Sequence, residues 1–135
     1  MQDQALYHEL ALYTLAHPSP RFIHQHVVDA FSAQQADEHT KWITLYFALV
    51  GLYLFVEKQY TGKQIQEEHI RLSNRPKEFI PFLLPLFRGH VTIQDVLAQD
   101  PGPERDQTID DWCASVWKAY GAARYLIVEY VDNSY

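Results

Sequence analysis

Ile109, Cys113, Val116, Tyr120, Ala123, Ile127 and Tyr130 follow one another at steps of 4, 3, 4, 3, 4 and 3. Apolar residues at that spacing stay on one face of an α-helix. Asp111, Lys118 and Glu129 fall on the opposite face. The spacing predicts one long amphipathic helix from about Glu104 to Val131. Such a seam packs against neighbouring helices at a shallow angle of about 20°. Few architectures outside a helical bundle accommodate it.

The rest of the chain agrees with that class. No long window shows strand-like alternation, and neither Asn-Gly nor Asp-Gly, the tight hairpin signals, occurs. Four further helices are predicted, at about 2–16, 20–35, 37–60 and 62–73. The first stops before His17-Pro18-Ser19-Pro20, because proline disfavours helix in the residue before it. Ser19 reads as the N-cap of the second, with Pro20 at its first position. Asp37 and Glu38 suit the positive end of the third, and Thr61 caps the fourth. Pro76, Pro81 and Pro85 break the pattern from Lys77 to Phe87. Thr92-Ile93-Gln94-Asp95 resembles a capping box opening a short helix to about Gln99, and 100–103 reads as a loop. The expected fold is all-α: a single-domain bundle over 1–135 with four to five main helices and a Pro-rich irregular segment, 74–103. The third helix is apolar nearly all round, so it is either central or shared with a second copy.

Composition narrows the function classes. Eleven basic against seventeen acidic side chains leave a net charge of −6, so neither nucleic acid nor an anionic membrane is expected as partner. The single cysteine, Cys113, excludes an intrachain disulfide, and its place on the seam marks it as a small buried hydrophobe. The most apolar stretch, Trp42 to Val56, is shorter than the about twenty residues a membrane span needs. Met1-Gln2-Asp3-Gln4 has no positive charge and no cleavage site after it, so no signal peptide is read and a cytoplasmic setting is expected.

The polar residues inside apolar stripes point to a site. Ile23, Val27, Ala30 and Phe31 define the stripe of the second helix. Gln34 falls at its centre, His24 inside its edge, and Asp29 and His26 flank it. An unpaired buried polar group costs about 1–3 kcal/mol, so each needs a partner. In the last helix Arg124 lies close to the seam beside Trp117, where it must snorkel out or meet an acid, Asp29 or Glu9 being the candidates. A ligand pocket read this way takes His24, Asp29 and Gln34 from the second helix and Trp117, Tyr120 and Arg124 from the last. Seven histidines invite a metal reading, yet no His-x-x-x-His or Glu-x-x-His pair exists. A divalent metal would have to gather ligands one per helix, with His8 and His24 foremost; otherwise no cofactor is implied. No phosphate loop, dinucleotide fingerprint or Gly-x-Ser-x-Gly elbow appears.

The run His24-Gln25-His26-Val27-Val28-Asp29-Ala30-Phe31 closed by Gln34, the segment 92–96, and Trp112-Cys113-Ala114-Ser115-Val116-Trp117 together resemble a family of small bacterial proteins of unknown function. The resemblance covers roughly His8 to Tyr130 and implies a helical fold with no established activity. The family pattern has a histidine after the glutamine and others in the last helix. Here Gln35 and Ala122 or Ala123 stand at those places, so metal ligands of that pattern would be missing. A looser analogy is to damage-inducible helical-bundle metal enzymes, which draw histidines from separate helices. The function expected first is a non-enzymatic helical domain acting through self-association, as a homodimer, or through a protein partner. The alternative is a small-ligand-binding protein or metal-assisted enzyme built on His24, Asp29 and Gln34.

Overall fold

A computed structural model describes residues 2–74 and 84–132. Among these it is all-helical: α1 (Gln2–Ala16), α2 (Ile23–Gln34), α3 (Trp42–Lys58), α4 (Gly62–Ser73), α5 (Ile93–Ala98), α6 (Pro103–Ala119), a short 3-10 turn (Gly121–Ala123) and α7 (Arg124–Asp132). The axis is α3, where 48–54 are buried without interruption. Its all-round apolar sequence is thus met inside one chain, with α2, α4, α6 and α7 packed about it. Burying each of Leu49, Val50, Leu52 and Leu54 is worth about 1.5–3 kcal/mol. No helix among the described residues is long and apolar enough to cross a membrane.

α1 and α4 have the bounds the sequence predicts. The capping box of α4 is present, with Gln64 N–H donating to Thr61 Oγ1 at 3.2 Å and Thr61 N–H to Gln64 Oε1 at 2.8 Å. α5 opens at the expected Thr92, whose N–H is held by Asp95 at 2.8 Å. Three expectations need correction. Ser19 does not cap α2: its hydroxyl accepts Arg21 N–H at 3.1 Å within a turn, and α2 begins only at Ile23, after Phe22 in the left-handed region at φ 52°. Asp37 does not open α3: its carboxylate takes His39 N–H at 2.8 Å, closing a local turn, and α3 starts at Trp42. The single long last helix is two. Tyr120 N–H and Ala123 N–H bond three residues back, at 3.1 and 2.9 Å, and Gly121 is a poor helix former. The seam survives the break, with Ile109, Cys113, Val116, Tyr120, Ala123 and Ile127 all buried. Of the segment 74–103, residues 75–83, with Pro76 and Pro81, lie outside the described residues.

Candidate functional site

The polar residues chosen from the sequence take separate jobs. About 15 Å of helix separates His24 from Gln34, ten residues on. His24, half-buried, meets Thr14 Oγ1 at 2.9 Å, which ties α2 to α1. Gln34 accepts the Trp112 indole N–H at 2.8 Å and donates to the Val91 carbonyl at 2.8 Å and that of Arg88 at 3.2 Å. Those bonds join α2, α6 and the strand-free stretch before α5. Tyr120 donates to the Ala33 carbonyl at 2.6 Å. Trp117 N–H and Arg124 Nε both donate to Glu57 at 2.7 Å. Arg124 therefore meets neither Asp29 nor Glu9, and its side chain is half exposed. Arg124 is exposed beside the seam, so it reaches out to Glu57 near the end of α3 rather than into the core. The Arg124 hydrogen bond, more than any other influence, holds the Glu57 carboxyl below the usual carboxylate range.

Asp29 is different. It is 3% exposed, Gln25 donates to its Oδ1 at 3.0 Å, and its Oδ2 has no partner among the described residues. Burial pushes its carboxyl well above the ordinary range, against the smaller opposing effect of the Gln25 bond. His8 is exposed beside Gln4, and no group of three or more His, Cys, Asp or Glu suited to a metal ion occurs among the described residues.

A cleft lies where the start of α2, the end of α3, the start of α4 and the middle of α6 meet. Its volume is about 540 Å³, within the range of ligand sites. Arg21, Phe55, Gln59, Tyr60, Asp110 and Asp111 are among its lining residues. The Arg21 guanidinium sits 5.8 Å above the Phe55 ring and donates to Asp110 Oδ1 at 3.1 Å. Beneath Phe55 the buried His26 ring stacks at 3.7 Å. Burial, and then the charge of Arg21, lower the His26 pKa to about 3, so the ring is neutral. Burial raises the Asp110 carboxyl despite the Arg21 charge beside it.

The backbone around this cleft is fixed at a cost. Phe22 (φ 52°) and Gln59 (φ 59°) are the non-glycine residues with positive φ among the described residues; Gln59 lines the cleft and Phe22 directly follows the lining residue Arg21. Left-handed backbone costs an ordinary L-residue roughly 1–2 kcal/mol. Gln59 ends α3 in the position where glycine is usual. Gly62 N–H donates to the Arg21 carbonyl at 2.6 Å, so the two chain segments touch. A Cβ at Gly62 would lie 2.0 Å from the Phe22 carbonyl oxygen, which leaves glycine as the residue that fits.

Sequence reasoning passed over these residues. It set His26 at the edge of a stripe and did not single out Arg21, Phe55, Gln59 or Asp110. The available signal was a glutamine, Gln59, where a helix stop calls for glycine. The pairing of Arg21 with Asp110, 89 positions apart, left no local trace. No curated protein and no solved structure matches the chain. A family model does match, over residues 4–121, in agreement with the resemblance carried by the α2 and α6 motifs. The chain thus belongs to the family of unknown function DUF5946.

Proposed function

We propose that this protein is a binding domain whose ligand occupies the cleft over Phe55. The observation that carries the reading is left-handed Gln59 in the lining of this cleft, with left-handed Phe22 next in sequence to its Arg21. Strain of that kind clusters at ligand sites, where the surrounding structure enforces it. The chemistry of the cleft fits a zwitterion with a flat body. Arg21 retains guanidinium donors beyond the one given to Asp110, and Asp110 retains its second oxygen. A ligand carboxylate on the first and ammonium on the second would lie alongside the existing pair, with the body on Phe55 and Tyr60. A free aromatic amino acid, or the end of a partner chain, has that form.

Phenylalanine is a suitable probe, followed by amide chemical shifts. Shifts confined to residues around 21, 55–61 and 110–114, and weakened by Arg21→Ala and by Asp110→Asn, are the expected result. Saturating phenylalanine without shifts there would defeat the zwitterion reading.

A second reading keeps self-association. Leu12 and Leu15 on the outer face of α1 are 69% and 57% exposed, and a C2 pair across that face would cover both. A cytoplasmic homodimer is the form proposed. Light scattering that gives the mass of one chain at tens of micromolar, unchanged by Leu12→Lys, would refute it.

A further inference from the structure

The charges lining the Arg21 cleft do not balance. Among the described residues its cationic side chain is Arg21, against the carboxylates of Asp110 and Asp111. Arg21 gives an N–H to Asp110 Oδ1 at 3.1 Å. Asp111 has no cationic partner among the described residues. Its Oδ1 takes a neutral amide N–H from Gln107 at 3.1 Å, and its Oδ2 is open. Asp106, one turn before Asp110, is occupied by the Tyr13 hydroxyl at 2.9 Å. Burial raises the Asp110 carboxyl most, and the charges of Asp111 and Asp106 add to that, against the opposing effect of Arg21. A second cation is what this wall of the cleft lacks. Ala114 lies four residues after Asp110 and three after Asp111, so both acids flank it on one face of α6, and all three line the cleft. Ala114 is exposed, and its methyl group covers neither acid. Tyr60 is half-buried in the same lining, and its ring has no ring or cation contact among the described residues. The Phe55 ring, by contrast, already has His26 at 3.7 Å and Arg21 at 5.8 Å.

We propose that the ligand of this cleft is a free amino acid with a planar cationic end, the class to which arginine belongs. The inference rests on the zwitterion reading above and adds a third point of attachment to it. The α-carboxylate takes the spare Arg21 N–H groups, and the α-ammonium takes the second oxygen of Asp110. The side-chain guanidinium lies flat on Tyr60 and gives its N–H groups to Asp111. A guanidinium is weakly hydrated, stacks on aromatic faces and forks onto a carboxylate. Those properties suit an exposed acid beside a free ring better than a compact ammonium does. The single net positive charge of such a ligand cancels the single excess negative charge of one arginine and two aspartates in the lining. Binding changes no covalent bond.

L-Arginine tests the idea, with L-citrulline as the counterpart in which a neutral urea of the same shape replaces the guanidinium. Both are titrated calorimetrically into the full chain near neutral pH and at low ionic strength. Arginine is expected to bind about three- to tenfold more tightly, the range for one exposed ion pair and one stacked cation together. Added salt should shrink the difference. Asp111→Asn should erase the preference, and Asp111→Glu should keep most of it. Glu104→Gln removes the same charge from α6 outside the cleft lining and should leave the preference as it is. N-acetylarginine, which has no ammonium for Asp110, should bind more weakly than arginine. Equal affinity for arginine and citrulline, a preference that survives Asp111→Asn or falls as far with Glu104→Gln, or acetylarginine as tight as arginine would each overturn the proposal. Citrulline or phenylalanine bound with no preference for arginine defeats the third attachment and leaves the zwitterion reading standing, whereas no binding of any of them defeats both.

Discussion

Gly51→Ala is the sharpest perturbation the packing offers. Alanine in the middle of a helix is normally worth about 1 kcal/mol over glycine. At this position the new Cβ would lie 1.9 Å from Asp29 Oδ2 and 2.6 Å from its Cγ. The carboxyl would have to move by more than 1 Å to reach ordinary contact at about 3.4 Å. Overpacking of this kind costs about 1–3 kcal/mol, and turning Asp29 away from Gln25 strands a buried group for about 1–3 kcal/mol more. The net loss expected is about 2–3 kcal/mol, or roughly 6–10 °C in Tm for a chain of this length. Asp29→Ala removes the obstructing atoms, so in that background Gly51→Ala should be neutral or gain up to about 1 kcal/mol. Asp29→Asn keeps the same shape and should keep the clash. Urea titration of the four proteins in the alanine cycle measures a coupling of about 3 kcal/mol. Additive effects, or a wild-type background that tolerates Gly51→Ala, would show that Asp29 does not fill the space beside Gly51.

His26 should make the fold sensitive to acid. Its folded pKa of about 3 lies below the ordinary 6.5, so the unfolded chain takes up a proton first and stability falls as the pH drops from about 6.5 toward 3. The gap is worth about 4–5 kcal/mol at the acid end, and His26→Phe should flatten that part of a stability–pH curve, whereas an unchanged slope would contradict the buried neutral ring. Asp29 acts in the opposite direction. Its carboxyl is raised in the folded state, so stability falls as the pH rises above the ordinary carboxylate range, and Asp29→Asn should raise Tm more near neutrality than at pH 4. Gln34→Leu leaves the buried Trp112 indole N–H without its acceptor; a loss of about 1–3 kcal/mol in chemical denaturation is expected, and no loss would mean the three bonds of Gln34 contribute nothing net. Gln59→Gly should stabilise by about 0.5–1 kcal/mol at its positive φ, and a fall in Tm would remove the strain argument for the cleft.

The sequence by itself determined the helical class, the bounds of α1 and α4, the caps at Thr61 and Thr92, and the buried seam from Ile109 to Ile127. These rest on interactions between residues at most four apart or on one-dimensional periodicity, which a reader of the chain can count. It also marked Asp29 and Gln34 as polar residues in apolar company. What it left open was their partners. Gln34 closes on Trp112, 78 positions away, and Arg124 on Glu57, 67 positions away, and no local rule chooses among distant acceptors. Tertiary structure alone decided that Tyr120 and Gly121 end one helix and begin another, that Phe22 and Gln59 take left-handed backbone, and that Arg21 comes down on Phe55 beside Asp110. Each of these puts a residue in a conformation or a pairing it would not hold in an isolated segment, and only the surrounding packing compensates for it. That is why the α2 motif was legible and the cleft beside it was not.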